Sequence, residues 1–202
     1  MASGLHHKPK NAMKTLLASF MGALAILLSP PVWAQLHVVN DIAFYKVTEV
    51  QKTPSWCWAA SIAMSLSAQG VNWRQEDIVA FTKGGVIDQT ASAKEMSNFL
   101  NSWNHLDYKG QRWSVSSTHY QGPAPLDVMI SSLDSGRPLI ATYRTGPLNE
   151  HAVVLYAANV LDADTRLHSV YFFDPYTGKK GVANAKDFRQ NTTHTWDVMV
   201  DK

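Results

Sequence analysis

Apolar side chains recur at helical intervals through the first half of the chain and then change period. Within residues 56–68, Ala59, Ile62, Ala63 and Leu66 are spaced three and four apart, and Gly70 follows. That spacing lines them up on one face and predicts an amphipathic helix that the glycine stops. Asn72 can cap a second short helix through Phe81, ended by Gly84 and Gly85. Ser92 is followed three residues later by Glu95, a capping-box signature in which hydroxyl and carboxylate satisfy the open N–H groups of a helix start. It predicts a third helix carrying Met96, Phe99 and Leu100. A fourth is expected over residues 126–133, after the breakers Pro123 and Pro125 and before Gly136.

Beyond residue 137 the pattern belongs to strands. Residues 138–143, 152–160, 168–173 and 196–200 are rich in Val, Ile, Tyr, Phe and Trp, and turn-forming clusters around Asp162 and Asp174 to Gly178 separate them. Neighbouring strands with short links predict an antiparallel sheet. Helices first and strands afterwards is an α+β order, with two lobes able to meet along a cleft.

The N-terminus has a separate logic. Residues 1–34 combine Lys8, Lys10 and Lys14 with an apolar run over 16–28 and the small-residue pattern Val32, Trp33, Ala34. This is the make-up of a cleaved export signal, and the run is shorter than the roughly 20 residues a bilayer span needs. The expectation is a mature chain of residues 35–202, secreted or periplasmic and not membrane-embedded, forming one domain. The chain is 46% hydrophobic and 17% charged, with a formal net charge of +2. Such a balance argues against a nucleic-acid footprint. No phosphate-binding glycine motif, internal repeat, HExxH or paired cysteine occurs, so neither a nucleotide, a metal nor another cofactor is expected.

Cys57 is the only cysteine in 202 residues, so it has no partner for an internal disulfide. A thiol attacks as its thiolate and needs its pKa depressed. Placed in the first turn of the predicted helix, Cys57 would face open backbone N–H groups and the positive end of the helix dipole. A basic partner is also required. Of eight histidines, His151 stands at the mouth of the apolar strand that begins at Ala152, where a rigid element can hold a general base in one geometry. Asp174 ends the following strand. If the two strands pair across a turn at residues 162–166, the start of one lies opposite the end of the other, and His151 and Asp174 become neighbours. A carboxylate there would fix the tautomer and orientation of the ring. Gln51, six residues before Cys57, could place a side-chain amide beside the Cys57 N–H as a second oxyanion donor. Trp58 reads as core support, whereas Trp56, ahead of the helix, could line the cleft and touch substrate.

Taken together, Gln51, the Cys57-Trp58-Ala59 helix opening, Glu150-His151-Ala152-Val153-Val154 and Asp174-Pro175 resemble the papain-like cysteine peptidases. The resemblance is to bacterial groups similar to the peptidase domains of bacteriocin exporters and to plant-pathogen effector proteases. It implies a two-lobed fold in which the helical lobe carries the cysteine and the sheet lobe the histidine and aspartate. It further implies Cys57 as nucleophile, His151 as base and acid, Asp174 as orienting residue and Gln51 as oxyanion donor. Pro54-Ser55-Trp56 departs from the Cys-Gly sequence frequent in the family ahead of the nucleophile. Only residues 35–50 separate the expected mature end from Gln51, which leaves no room for a large inhibitory propeptide. The function expected is an exported thiol hydrolase that cleaves a peptide or isopeptide bond in a peptide or protein substrate. The same residues serve an acyltransferase of transglutaminase-like or phytochelatin-synthase-like type, and the fold without turnover would be a binding module.

Overall fold

The computed structural model describes residues 33–102, 105–147, 149–161 and 165–201. Most of the expected export signal, and residues 162–164 of the expected β-turn, lie outside the described residues. After β1 (Gln35–Val38) come α1 (Asp41–Tyr45), α2 (Cys57–Ala68), α3 (Gln75–Lys83) and α4 (Ala93–Leu100). There follow β2 (His105–Leu106), β3 (Arg112–Gln121), α5 (Leu126–Asp134), β4 (Leu139–Arg144), β5 (Glu150–Leu161), β6 (Arg166–Asp174), β7 (Lys179–Asn184), α6 (Ala185–Asn191) and β8 (Thr192–Asp201). The α+β expectation holds. The strands form an antiparallel sheet in the order β2-β3-β8-β4-β5-β6-β7. β1 pairs with β5 at residues 157–160, beyond the stretch that β4 occupies, so the two short strands share one side of the long one.

The helix that opens at Cys57 departs from the amphipathic expectation. Every residue from Trp58 to Leu66 is buried. Ala59, Ile62, Ala63 and Leu66 pack with Ile140, Trp196 and Val198, while Ala60 and Met64 join a second apolar cluster with Phe44, Leu133 and Val154. A helix enclosed on all sides has no solvent face to leave polar. The hydroxyls that interrupt its apolar sequence are small enough to go inside, and Ser65 Oγ donates to the Pro138 carbonyl at 3.1 Å.

The helix starts expected at α4 and α5 are correct, with a side-chain cap at α4 and Pro125 ahead of α5. Ser92 and Glu95 form the reciprocal capping box at α4, and the Glu95 carboxylate also meets Lys83 at 2.6 Å. Lys83 and the Ser92 N–H together hold the Glu95 pKa down to about 2. α3 begins later than Asn72 suggested, after Arg74, whose carbonyl accepts the Asp77 and Ile78 N–H groups. β3 was not predicted. Only Trp113 and Val115 among its residues are fully buried, and its length is held by the ladder to β8 rather than by an apolar face. β7, α1 and α6 are also additions, and asparagines cap both helices: Asn40 accepts from the Ala43 N–H and Asn184 from the Asp187 N–H. None of the described helices is long and apolar enough to cross a membrane.

Ser92→Ala removes one half of the capping box that follows the cleft wall at Ala91. Its expected cost is about 1 kcal/mol of unfolding free energy, measured by urea denaturation. An unchanged midpoint would show that the cap is redundant with the Lys83 to Glu95 ion pair.

Candidate active site

Cys57 is the first residue of α2, and no side chain caps this helix end. The first intrahelical bond runs from the Ala60 N–H to the Trp56 carbonyl, so the N–H groups of Cys57, Trp58 and Ala59 precede the helical ladder. The helix dipole therefore presents its positive end where the thiol sits. Cys57 is half-buried at the floor of an open cleft of about 700 Å³. Pro54, Ser55, Thr90 and Ala91 form its helical side, and the β4–β5 turn with His151, Asp174 and Tyr176 forms the other. A smaller apolar hollow of about 200 Å³ between the sheet and α6 meets this cleft only at Tyr143.

The hairpin of β5 and β6 brings His151 and Asp174 together. Val154 pairs with Phe173, which sets the first residues of β5 beside the end of β6. The His151 Nε2 lies 2.6 Å from Asp174 Oδ1, leaving Nδ1 as the nitrogen for the thiol. Burial by itself would lower the His151 pKa, but hydrogen bonds to Cys57 and Asp174, and the charges of both, outweigh it and hold the ring above its ordinary value. Asp174 shows the converse balance. Burial would raise its pKa, yet His151, the Tyr176 N–H and the Thr177 hydroxyl keep it below the usual carboxylate range. Tyr143, opposite His151 in the β4–β5 ladder, sets its ring edge against the imidazole with centroids 5.4 Å apart.

The turn after β6 reaches into the other half of the site. The Tyr176 N–H donates to Asp174 Oδ1 at 2.9 Å and the Gly178 N–H to the Asp174 carbonyl at 2.8 Å. The Pro175 carbonyl accepts the Gln51 N–H at 2.9 Å, tying this turn to the loop that leads to Cys57. Gly178 has φ +67°, and a Cβ there would come within 2.9 Å of Val50 Cγ2, so glycine meets both a conformational and a steric need.

Two expectations change. Gln51 does not present a free amide: its Nε2 donates at 2.8 Å to both the Thr53 and the Pro54 carbonyls, so both amide protons brace the loop. Trp56 does not line the cleft. It is 3% exposed, packs in the core with Trp58, and donates its indole N–H to the Ile87 carbonyl at 2.8 Å. A large ring beside the start of a buried helix is drawn inward, and its single polar atom finds a backbone partner there. Gln75, fully buried, was missed. It accepts the Lys52 N–H and donates to the Val50 carbonyl, and no local pattern in the sequence distinguishes it from a surface glutamine at a helix start. Among the described residues, no group of three or more His, Cys, Asp and Glu is gathered as a metal would require.

A helix-borne thiol facing a sheet-borne histidine is the arrangement of a papain-like cysteine peptidase. The chain belongs to the Peptidase_C39 like family, whose model matches residues 40–202. Among solved structures it is similar to the peptidase domain of Streptococcus ComA, a bi-functional ABC transporter involved in a quorum-sensing pathway. The two share 14% identity at a TM-score of 0.50, over 75% of this chain and 95% of that one. At that identity the likeness bears on the fold. The comparison with curated proteins returned no match.

The raised His151 pKa gives a direct test. The protonated ring is favoured by the fold, so its stabilisation is complete below about pH 6.5 and fades as pH rises through the higher folded value. In Asp174→Asn the titration midpoint of the His151 ring, followed by NMR, is expected to fall. An unmoved midpoint would mean that the carboxylate does not set the charge state of the ring.

Proposed function

We propose that this cysteine peptidase acts, after export and removal of residues 1–34, on a peptide or isopeptide bond through a Cys57 thioester. The single observation that supports the assignment of roles is that Cys57, His151 and Asp174 line one cleft, with the imidazole held by the Asp174 carboxylate at 2.6 Å. For attack, the Cys57 proton passes to His151. The thiolate attacks the scissile carbonyl carbon, and the carbonyl π electrons move to oxygen. The backbone N–H of Cys57, at the positive end of α2, receives that oxyanion. As the tetrahedral intermediate collapses, the C–N bond breaks and His151 passes its proton to the leaving amine. A water molecule then gives a proton to His151 and adds to the thioester, and expulsion of the Cys57 thiolate releases the acid. Asp174 keeps Nδ1 aimed at sulfur throughout and compensates the imidazolium charge. Gln51 is the second oxyanion donor of this reading; with no substrate in place its amide protons brace the loop before Cys57.

The export part of the reading is supported by the sequence alone, in the basic start, the apolar run and the small residues at 32 and 34. N-terminal sequencing of the protein recovered outside the cytoplasm is expected to begin at Gln35.

Because Cys57 is the sole cysteine, iodoacetamide reports on it alone. At pH 5.5 a free thiol with a pKa of about 8.5 is almost wholly protonated. Alkylation of this protein is expected to exceed that of glutathione by at least about tenfold, and His151→Ala is expected to remove the advantage. Equal rates would sink the activated thiolate. A peptide-library screen of the purified protein is expected to yield cleaved peptides that Cys57→Ser no longer produces. Mass spectrometry with an added amine separates hydrolysis from acyl transfer, since only transfer leaves the amine joined to the new C-terminus.

A further inference from the structure

The two tryptophans that flank Cys57 are fastened to one short stretch of chain. Trp56 donates its indole N–H to the Ile87 carbonyl at 2.8 Å, and Trp58 donates its own to the Gln89 carbonyl at 3.0 Å. Between those two carbonyls stands Asp88, whose side chain turns toward the loop ahead of the nucleophile. Its Oδ1 accepts the Thr53 hydroxyl at 2.7 Å and the Ser55 N–H at 2.9 Å. Four bonds therefore join residues 53–58 to residues 87–89, and Asp88 carries the two that reach the loop. Bonds to an ionised acceptor are short and strong, and one oxygen shared by two donors leaves the loop little freedom. Thr53 chiefly, with the Ser55 N–H and hydroxyl, also holds the Asp88 carboxyl below its ordinary pKa, so the acceptor stays charged.

The position of this clamp matters because of what it spans. Pro54 and Ser55 are wall residues of the cleft, as are Thr90 and Ala91, and Asp88 is the side chain that joins the two pieces of wall. The same loop is held from behind by Gln51, through the Thr53 and Pro54 carbonyls, and by Gln75, through Val50 and Lys52. Those two anchors grip carbonyls along the loop and the backbone at residues 50 and 52. Asp88 alone, among the described contacts, grips the backbone N–H of Ser55, two residues before the nucleophile. Asp88 itself lies on the surface. It contributes little to the core, and a bulk structural role is not what its surroundings ask of it.

We infer that Asp88 is a positioning residue for the peptidase reaction, holding the Thr53 to Ser55 wall in register with Cys57 so that the scissile carbonyl meets both thiolate and oxyanion donors. This role rests on the assignment of Cys57 as nucleophile. It acts on substrate placement and leaves the thiolate itself to His151 and the helix start. A misplacement of about 1 Å at a reacting centre can cost on the order of a hundredfold in rate, and a loosened loop loses part of that.

The test compares Asp88→Ala with Asp88→Asn on a peptide found in the library screen. Asp88→Ala is expected to lower kcat by about tenfold while the thermal midpoint and the iodoacetamide rate at pH 5.5 stay at the wild-type values. Asp88→Asn keeps an acceptor oxygen in place and is expected to retain kcat within about twofold. The inference is overturned if Asp88→Ala keeps its kcat, if Asp88→Asn fails as badly as Asp88→Ala, or if midpoint and alkylation rate fall together with turnover. A wild-type protein that neither turns over peptides nor alkylates faster than glutathione would remove the peptidase assignment, and this role with it. Wild-type turnover that Asp88→Ala leaves intact removes only the role of Asp88.

Discussion

The short contact between the His151 imidazole and the Asp174 carboxylate is the constraint on which the rest of the cleft depends. Neither group would hold its charge comfortably at that depth by itself, since burial favours the neutral form of each. Together they reverse the penalty, and the ring is drawn toward its protonated form. The carboxylate in turn is not free to wander, because the Tyr176 N–H and the Thr177 hydroxyl hold it from the turn behind. That turn also gives its Pro175 carbonyl to Gln51 and places Gly178 against Val50. One turn thus orients the base and sets the approach of the loop that carries the nucleophile, joining two chain segments more than a hundred residues apart.

The other half of the site is rigid for a different reason. α2 is enclosed by apolar side chains along most of its length, and an enclosed helix cannot roll without opening both clusters around it. Trp56 and Trp58 extend this fixation to the N-terminal end, each spending its one polar atom on the backbone of residues 87–89. Cys57 is left as the residue between them that faces the cleft, which makes the tryptophans the frame of the thiol.

Legibility followed physical cause. Helix α4 could be read because Ser92 and Glu95 supply their own local partners, and β4, β5, β6 and β8 because runs of branched and aromatic residues have little other use than a buried sheet. β3 could not be read, since its Ser, Thr and His residues owe their strand conformation to hydrogen bonds with β8, far along the chain. Asn72 is a reasonable cap with nothing local against it, yet α3 opens at Gln75, whose side chain is engaged by the distant backbone of residues 50 and 52. At the site, His151 and Asp174 could be paired in advance because antiparallel strands make the start of one the neighbour of the end of the next. Asp88 and Gln75 gave no such warning.

By itself, then, the sequence determined which groups were available for chemistry: one thiol, a histidine at a strand mouth, a carboxylate at the end of the next strand, and a helix start to hold the thiol. These properties are local, or follow from the pairing of adjacent strands, and short-range rules reach them. Only the tertiary structure decided where the amide of Gln51 spends its protons, that the ring of Trp56 turns inward, and that Asp88 reaches the Ser55 N–H. Each of those outcomes is a competition among partners distant in the chain for a limited number of donors and acceptors. Such a competition is settled by which groups the completed packing brings within about 3 Å.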